Sequence, residues 1–326
     1  MPGARPLLRL GASFQPAASE HARAARVLQV RSRREVAGAL VGGYRSAFRG
    51  GGIEFEESRP YAAGDDVRAI DWNAFARTGV AHVKHYREER DQTLLLLVDV
   101  SASMGFGTAG PSKAALAART GALLAAAAGA AGDRVGLWTF DRGLASELPP
   151  GRGEAHELRL LRALVGAGEA GAGTTALAPV LTALRERVHR RAIVFLLSDL
   201  RDDALLAADA AGRRARALLA AIAHRHDVVA GWTVDPREAS LPAAGTLRLA
   251  DPEAPGRTLL LRSGSRRVRE RYALAARAQR YALERALLRL GIDLLPLATD
   301  ADPLRMLGRF FVRRAATRAR GRAVRR

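Results

Sequence analysis

The sequence predicts an α/β fold: a doubly wound, mostly parallel central sheet with a small β-rich N-terminal extension and a β-hairpin insertion. Three observations carry this expectation. From Thr93 onward, short apolar runs alternate with longer stretches of helical periodicity. Runs such as "LLLLV" (94–98) and "AIVFLLS" (192–198) lack polar alternation, as strands buried on both faces do. The intervals between most runs have room for helical crossovers, whose right-handedness winds helices onto both faces.

In chain order, residues 1–44 read as a helical or irregular segment, with mixed helical periodicity in "HARAARVLQVRSRREVAGALVG". Residues 45–92 read as a β-rich extension: a glycine break and strand, then the alternating "GVAHVKHYREER". Within "RPYAAGDDVRAIDW", Gly64, Asp65 and Asp66 mark a turn. Arg59, Arg68, Asp71 and Trp72 are expected to knit the extension to the sheet through charge-assisted hydrogen bonds and an aromatic plug.

The main domain is placed at 93–316, with strands at 94–98, 134–140, 192–198, 227–234 and 292–298. Helices are expected at 111–131, 154–165, 176–190, 203–224 and 265–290. "GLASELPP" (143–150) follows its neighbour too closely for a crossover and is expected to pair antiparallel at an edge. Prolines and glycines punctuate two alternating pieces in 235–264, the signature of an inserted hairpin. Residues 317–326 form a basic tail.

Composition narrows the function. The chain has 326 residues, a formal charge of +19 and no cysteine, which excludes disulfides, thiolate nucleophiles and cysteine-based metal sites. Only Lys84 and Lys113 are lysines, so the basic excess is almost all arginine and reads first as compositional bias. The segment from Arg305 to Arg326 holds nine arginines and no acid; a solvated, partly disordered terminus is expected there. Nucleic-acid or anionic-surface binding through this terminus is the rival reading. No apolar run reaches membrane-span length and no signal-peptide core is evident, so the expected location is cytoplasmic.

The chemistry concentrates at strand ends, where open α/β sheets bind ligands. Asp99, Ser101 and Ser103 follow the first buried run in a D-x-S-x-S spacing. "GAGTT" offers Thr174 or Thr175, and "FLLSDL" offers Asp199 just past another buried strand. All are oxygen donors of the kind Mg2+ or Mn2+ prefers.

This set resembles the metal-ion-dependent adhesion site of a von Willebrand factor A domain, a Rossmann-like fold. The resemblance implies a cation held by Asp99, Ser101, Ser103, Thr174 and Asp199, with Thr174 the better match because it follows Gly173 and Thr175 the neighbouring alternative. The run "RPYAAGDDVRAIDWNAFART" followed by "REERDQTLLLLVDVSASMG" resembles domain of unknown function 58, over roughly residues 20–316. That resemblance implies partnership with a MoxR-type AAA+ ATPase or its client in chaperone-like or assembly work. An acidic side chain from the partner would complete the cation's coordination.

Enzyme readings find little support. The chain has no phosphate-binding loop, no nucleophile elbow and no H-E-x-x-H, and Ser101 has no histidine partner in sequence. His224 and His226 read as favourable charges at a helix carboxyl end. A metal-dependent hydrolase built on Asp99 and Asp199 would call for a lysine, and neither lysine is well placed by sequence. A non-enzymatic protein-binding module is the expectation.

Overall fold

The structure, a computed structural model, describes residues 18–36, 38–48, 53–62, 70–88, 92–108, 110–169, 171, 173–201, 203–207, 209–254 and 256–323. Two helices, α1 (Ala18–Val36) and α2 (Ala39–Phe48), precede the extension, which consists of β1 (Ile53–Pro60), α3 (Trp72–Thr78) and β2 (His82–Glu88). Then come β3 (Thr93–Asp99), α4 (Lys113–Ala131), β4 (Arg134–Phe140), β5 (Leu144–Gly151), α5 (Glu154–Ala167), α6 (Leu177–Arg187) and β6 (Ile193–Ser198). The chain continues through α7 (Asp203–Leu206), α8 (Ala210–Arg225), β7 (Asp227–Val234), α9 (Pro236–Ala239), β8 (Thr246–Ala250) and β9 (Thr258–Arg262). It closes with α10 (Arg266–Arg289), β10 (Asp293–Ala298) and α11 (Pro303–Ala323).

The six-stranded central sheet runs β10-β7-β6-β3-β4-β5, parallel throughout except for the antiparallel edge strand β5. Strand β3 lies between β4 and β6, and the chain steps first to one side of it and then to the other. Its carboxyl end therefore sits at the switch point where ligands bind in such sheets. The leucines of β3 alternate between layers. Leu94 and Leu96 join the core under α1, α2, α4, α5 and α11, while Leu95 and Leu97 join the core under α6, α8 and α10. Burial of each leucine contributes about 2 kcal/mol, so the register of β3 is strongly held.

Small residues set the depth of α4. A Cβ at Gly121 would lie 3.1 Å from Leu164 and 3.5 Å from Leu96, so the helix approaches both the sheet and α5 closely. Ser112 caps its start by accepting from the Ala115 amide, and Gly132 ends it with a φ of +86°. Among the described residues α4 is the one helix long and apolar enough to cross a membrane, and it is largely buried within the protein.

Four expectations are corrected. The arginine-rich terminus is helix α11 as far as Ala323, because Leu307, Phe310 and Phe311 bury one face of it. Phe311 packs on Tyr44 and Phe48 of α2, while the buried Arg314 lies 4.4 Å from the Phe48 ring centroid and pairs with Asp227. The long helix expected over 203–224 is broken into α7 and α8, with Asp209 capping α8 through the Gly212 amide.

His226 is no helix-end cation. It is 3% exposed and accepts a hydrogen bond from the Ala192 amide at Nδ1, and burial with Arg225 and Arg191 nearby pushes its pKa down.

Trp72 is no plug either, being 60% exposed with its ring edge-on to Phe75. Asp71 caps α3 through the Ala74 amide. Gly64, Asp65, Asp66, Arg68 and the side chain of Arg59 lie outside the described residues.

Two outcomes are expected. Phe311→Ala, by emptying the α2–α11 contact, lowers unfolding free energy by about 3–5 kcal/mol in urea titration. A histidine held neutral when folded takes up protons on unfolding, so it contributes stability that is lost as pH falls below its ordinary value of about 6.5. His226→Gln should therefore flatten the acid side of the wild-type stability profile.

Candidate cation site at the carboxyl edge of the sheet

Strand β3 ends by burying Asp99 completely. Its Oδ1 accepts the Ser101 amide at 2.9 Å, its Oδ2 accepts the Ser198 hydroxyl at 2.6 Å, and Thr175 Oγ1 lies 3.3 Å from the same oxygen. Ser101 Oγ lies 3.1 Å from Ser103 Oγ and 2.9 Å from Thr175 Oγ1. Among the described residues no cation pairs with Asp99. Burial raises its pKa to about 6, the Ser198 hydroxyl opposes that rise, and the charge of Asp199 reinforces it.

The threonine brought into this cluster is Thr175, while no hydrogen bond among the described residues joins Thr174 to it. Tertiary contacts of the glycine-rich loop explain the choice. Gly173 O accepts the Ala102 amide at 2.8 Å, the Gly171 amide donates to Val100 O at 2.7 Å, and the Ala176 amide donates to Asp141 O at 2.9 Å. A Cβ on Gly173 would fall 2.3 Å from Asp141 Oδ2, and one on Gly171 would fall 2.7 Å from Val100 O. The loop is thereby laid flat on the end of β3, with Thr175 buried beside Ser101.

Asp199 takes a different role from Asp99. Its Oδ2 accepts Lys113 Nζ at 2.6 Å, and the same ammonium donates to Glu238 Oε1 at 2.7 Å. Lys113 is 1% exposed, so the expectation that neither lysine is well placed is corrected. It opens α4, and the turn of that helix onto the sheet delivers it. The next residue after Asp199, Leu200, has a left-handed φ of +53°, a conformation that costs a non-glycine residue about 1–2 kcal/mol. Hydrogen bonds from the Leu200 amide to Ser198 Oγ and from Trp232 Nε1 to Asp199 O hold that bend.

Behind the ion pair, Glu238 forms a capping box with Asp235. Asp235 in turn accepts from Thr108 and Thr299, joining the loops after β3, β7 and β10. Burial works to raise the Asp235 pKa, but these hydrogen bonds and the Arg237 amide hold it below the usual carboxylate range.

Sequence reasoning also missed Glu253. Carried by the β8–β9 connection, it accepts from Thr175 Oγ1 at 3.0 Å and from the Thr175 amide at 3.2 Å. Nothing local to Glu253 marks it, because its partner is 78 residues away in sequence. Ser198 was more accessible to inference, standing beside Asp199 at the end of a buried strand.

The donor set suits a hard divalent cation. The hydroxyl spacings of 2.9–3.1 Å match the separation of adjacent ligands around Mg2+ bound at about 2.0–2.1 Å. Among the described residues, Asp99, Asp199, Glu238 and Glu253 are balanced only by Lys113 and by Arg201, which reaches Glu238 at 3.2 Å; two of these four negative charges remain. Among the described residues no three His, Cys, Asp or Glu side chains gather as ligands, so any cation here would rely on hydroxyls.

Lys113→Met should destabilise the fold by about 3–5 kcal/mol in urea titration, since it strands the buried Asp199 carboxylate.

Comparison with known proteins places the chain. Residues 57–282 match the family described as protein of unknown function DUF58. The uncharacterized protein Rv1480 of Mycobacterium tuberculosis is 33% identical over 303 residues, 92% of this chain and 90% of that one. The uncharacterized protein MAV169 of Mycobacterium avium is 31% identical over 166 residues, 51% of this chain and 92% of that one. Among solved structures, BatB from Bacteroides thetaiotaomicron aligns with a TM-score of 0.40 at 18% identity, over 69% of this chain and 99% of that chain. The PilB minor pilin from Streptococcus sanguinis aligns with a TM-score of 0.39 at 9% identity, over 73% and 64%. On the strength of the family match and the relatives that run nearly its full length, the chain belongs to the DUF58 family.

Proposed function

We propose that this chain is a metal-dependent protein-binding module with a von Willebrand factor A-like domain, acting with a MoxR-type AAA+ ATPase in chaperone-like or complex-assembly work. The observation that carries the reading is the buried Asp99 carboxylate, at the end of a connected cluster of the Ser101, Ser103 and Thr175 hydroxyls and facing no described cation. Asp99, Ser101, Ser103 and Thr175 would hold Mg2+ or Mn2+, with Asp199 close behind. A bound divalent ion would supply a Lewis-acidic point able to take a carboxylate from a partner protein.

The chain's own residues prepare that point. Ser198 and the Ser101 amide orient Asp99, and the backbone contacts of Gly171 and Gly173 seat Thr175. Lys113 neutralises much of the charge of Asp199 and Glu238, which leaves Asp99 as the principal anionic donor. The same geometry supports a binding role over a hydrolytic one. Ser101 contacts hydroxyls where a nucleophile would need a base, and Lys113 is buried and committed to two carboxylates.

Isothermal titration tests the cation. Wild type should bind Mg2+; Asp99→Asn and Thr175→Ala should weaken binding at least tenfold, and Thr174→Ala should leave it unchanged. Asn relieves a buried charge, so its loss of affinity is separable from unfolding. Equal affinity in wild type and Asp99→Asn would sink the reading. A MoxR-type ATPase captured by wild type should be released by EDTA and lost from the Ser101→Ala, Ser103→Ala double variant.

A further inference from the structure

The β8–β9 hairpin stands apart from the central sheet as its own two-stranded sheet. Its base is firm: Gly264 donates to Gly245 O at 2.8 Å, and the fully buried Ser263 accepts the Ala244 amide and donates to Gly245 O. Its body is loosely covered, with Leu259 and Leu260 57% and 67% exposed. Its tip is shaped again. The Asp251 amide donates to Arg257 O, the Arg257 amide donates to Ala254 O, and the Glu253 amide donates to Asp251 Oδ1. Gly256 takes the left-handed φ of +93° that the turn requires.

This turn directs one carboxylate, Glu253, onto both the hydroxyl and the amide of Thr175. The same hydroxyl touches Ser101 Oγ and Asp99 Oδ2. Among the described residues no cation pairs with the buried Asp99, and placing a second anion near it is unfavourable unless positive charge comes between them. Thr175 has one hydroxyl proton, which cannot serve the Asp99 and Glu253 carboxylates at once.

We propose that Glu253 is an internal carboxylate ligand, held by the hairpin in the position that an acidic side chain of a partner would take. This inference rests on the cation site proposed above and concerns its regulation. A tethered carboxylate acts at millimolar effective concentration, so it excludes weak external carboxylates until a partner displaces the tip. Apparent partner affinity is then reduced by the fraction of molecules in which the tip is seated. The firm base and exposed body of the hairpin allow the tip to leave without opening the central sheet.

The test is Mg2+ titration of the full chain, as wild type, Glu253→Ala and Glu253→Gln, with and without sodium acetate at tens of millimolar. Hydrogen exchange at the Thr175 amide is followed in parallel. Both variants should bind Mg2+ at least tenfold more weakly. Acetate should restore affinity to Glu253→Ala while leaving wild type unaffected, and the Thr175 amide should exchange faster in the variant. Unchanged Mg2+ affinity in both variants, or an equal acetate effect on wild type and Glu253→Ala, overturns the inference and leaves the cation site standing. Failure of the wild-type chain to bind Mg2+ overturns both.

Discussion

A carboxylate withdrawn from water is costly to keep charged, and Asp99 is the carboxylate around which the upper edge of this sheet is arranged. Strand β3 forces the burial: its leucines are locked between two helical layers, so the residue that ends the strand has nowhere to go but inward. Hydroxyls from β6 and from the glycine-rich loop close over it. Removing any one of these elements would leave the others without a reason for their positions.

The surrounding charges fall into two groups. Asp199 and Glu238 share Lys113, and through Asp235 that pair is continuous with the loops after β3, β7 and β10. Asp99 and Glu253 meet at the Thr175 hydroxyl and, among the described residues, are faced by hydroxyl and amide donors and by no cation. The first group stiffens the edge of the sheet. The second holds the donors of the proposed cation site, and the strained Leu200 lies on the border between them.

The strands were legible because burial on both faces leaves a continuous apolar run, as in β3 and β6, and the β4–β5 hairpin was legible from its short connection. Asp99, Ser101 and Ser103 were legible because they are local to one strand end. The choice of Thr175 over Thr174 was not, since it depends on Gly173 meeting Asp141 and Ala102, contacts between segments distant in sequence. Lys113 and Glu253 were missed for the same reason, their partners being 86 and 78 residues away. The terminal arginines concealed an amphipathic helix because charge count outweighed the spacing of Leu307 and Phe311, and Trp72 was misplaced because aromatic size alone does not imply burial.

Lys113 carries one more consequence. In a chain that uses arginine at nearly every basic position, a lysine is an exception to its own composition. The ammonium at this place bridges two carboxylates with nitrogen–oxygen distances of 2.6 and 2.7 Å inside a closed space, which suits a compact charge and not a broad planar fork. Compositional drift in such a chain acts as a uniform background. Where the background is resisted, local geometry has outweighed it, and a rare residue type becomes a pointer to the part of the molecule least free to change.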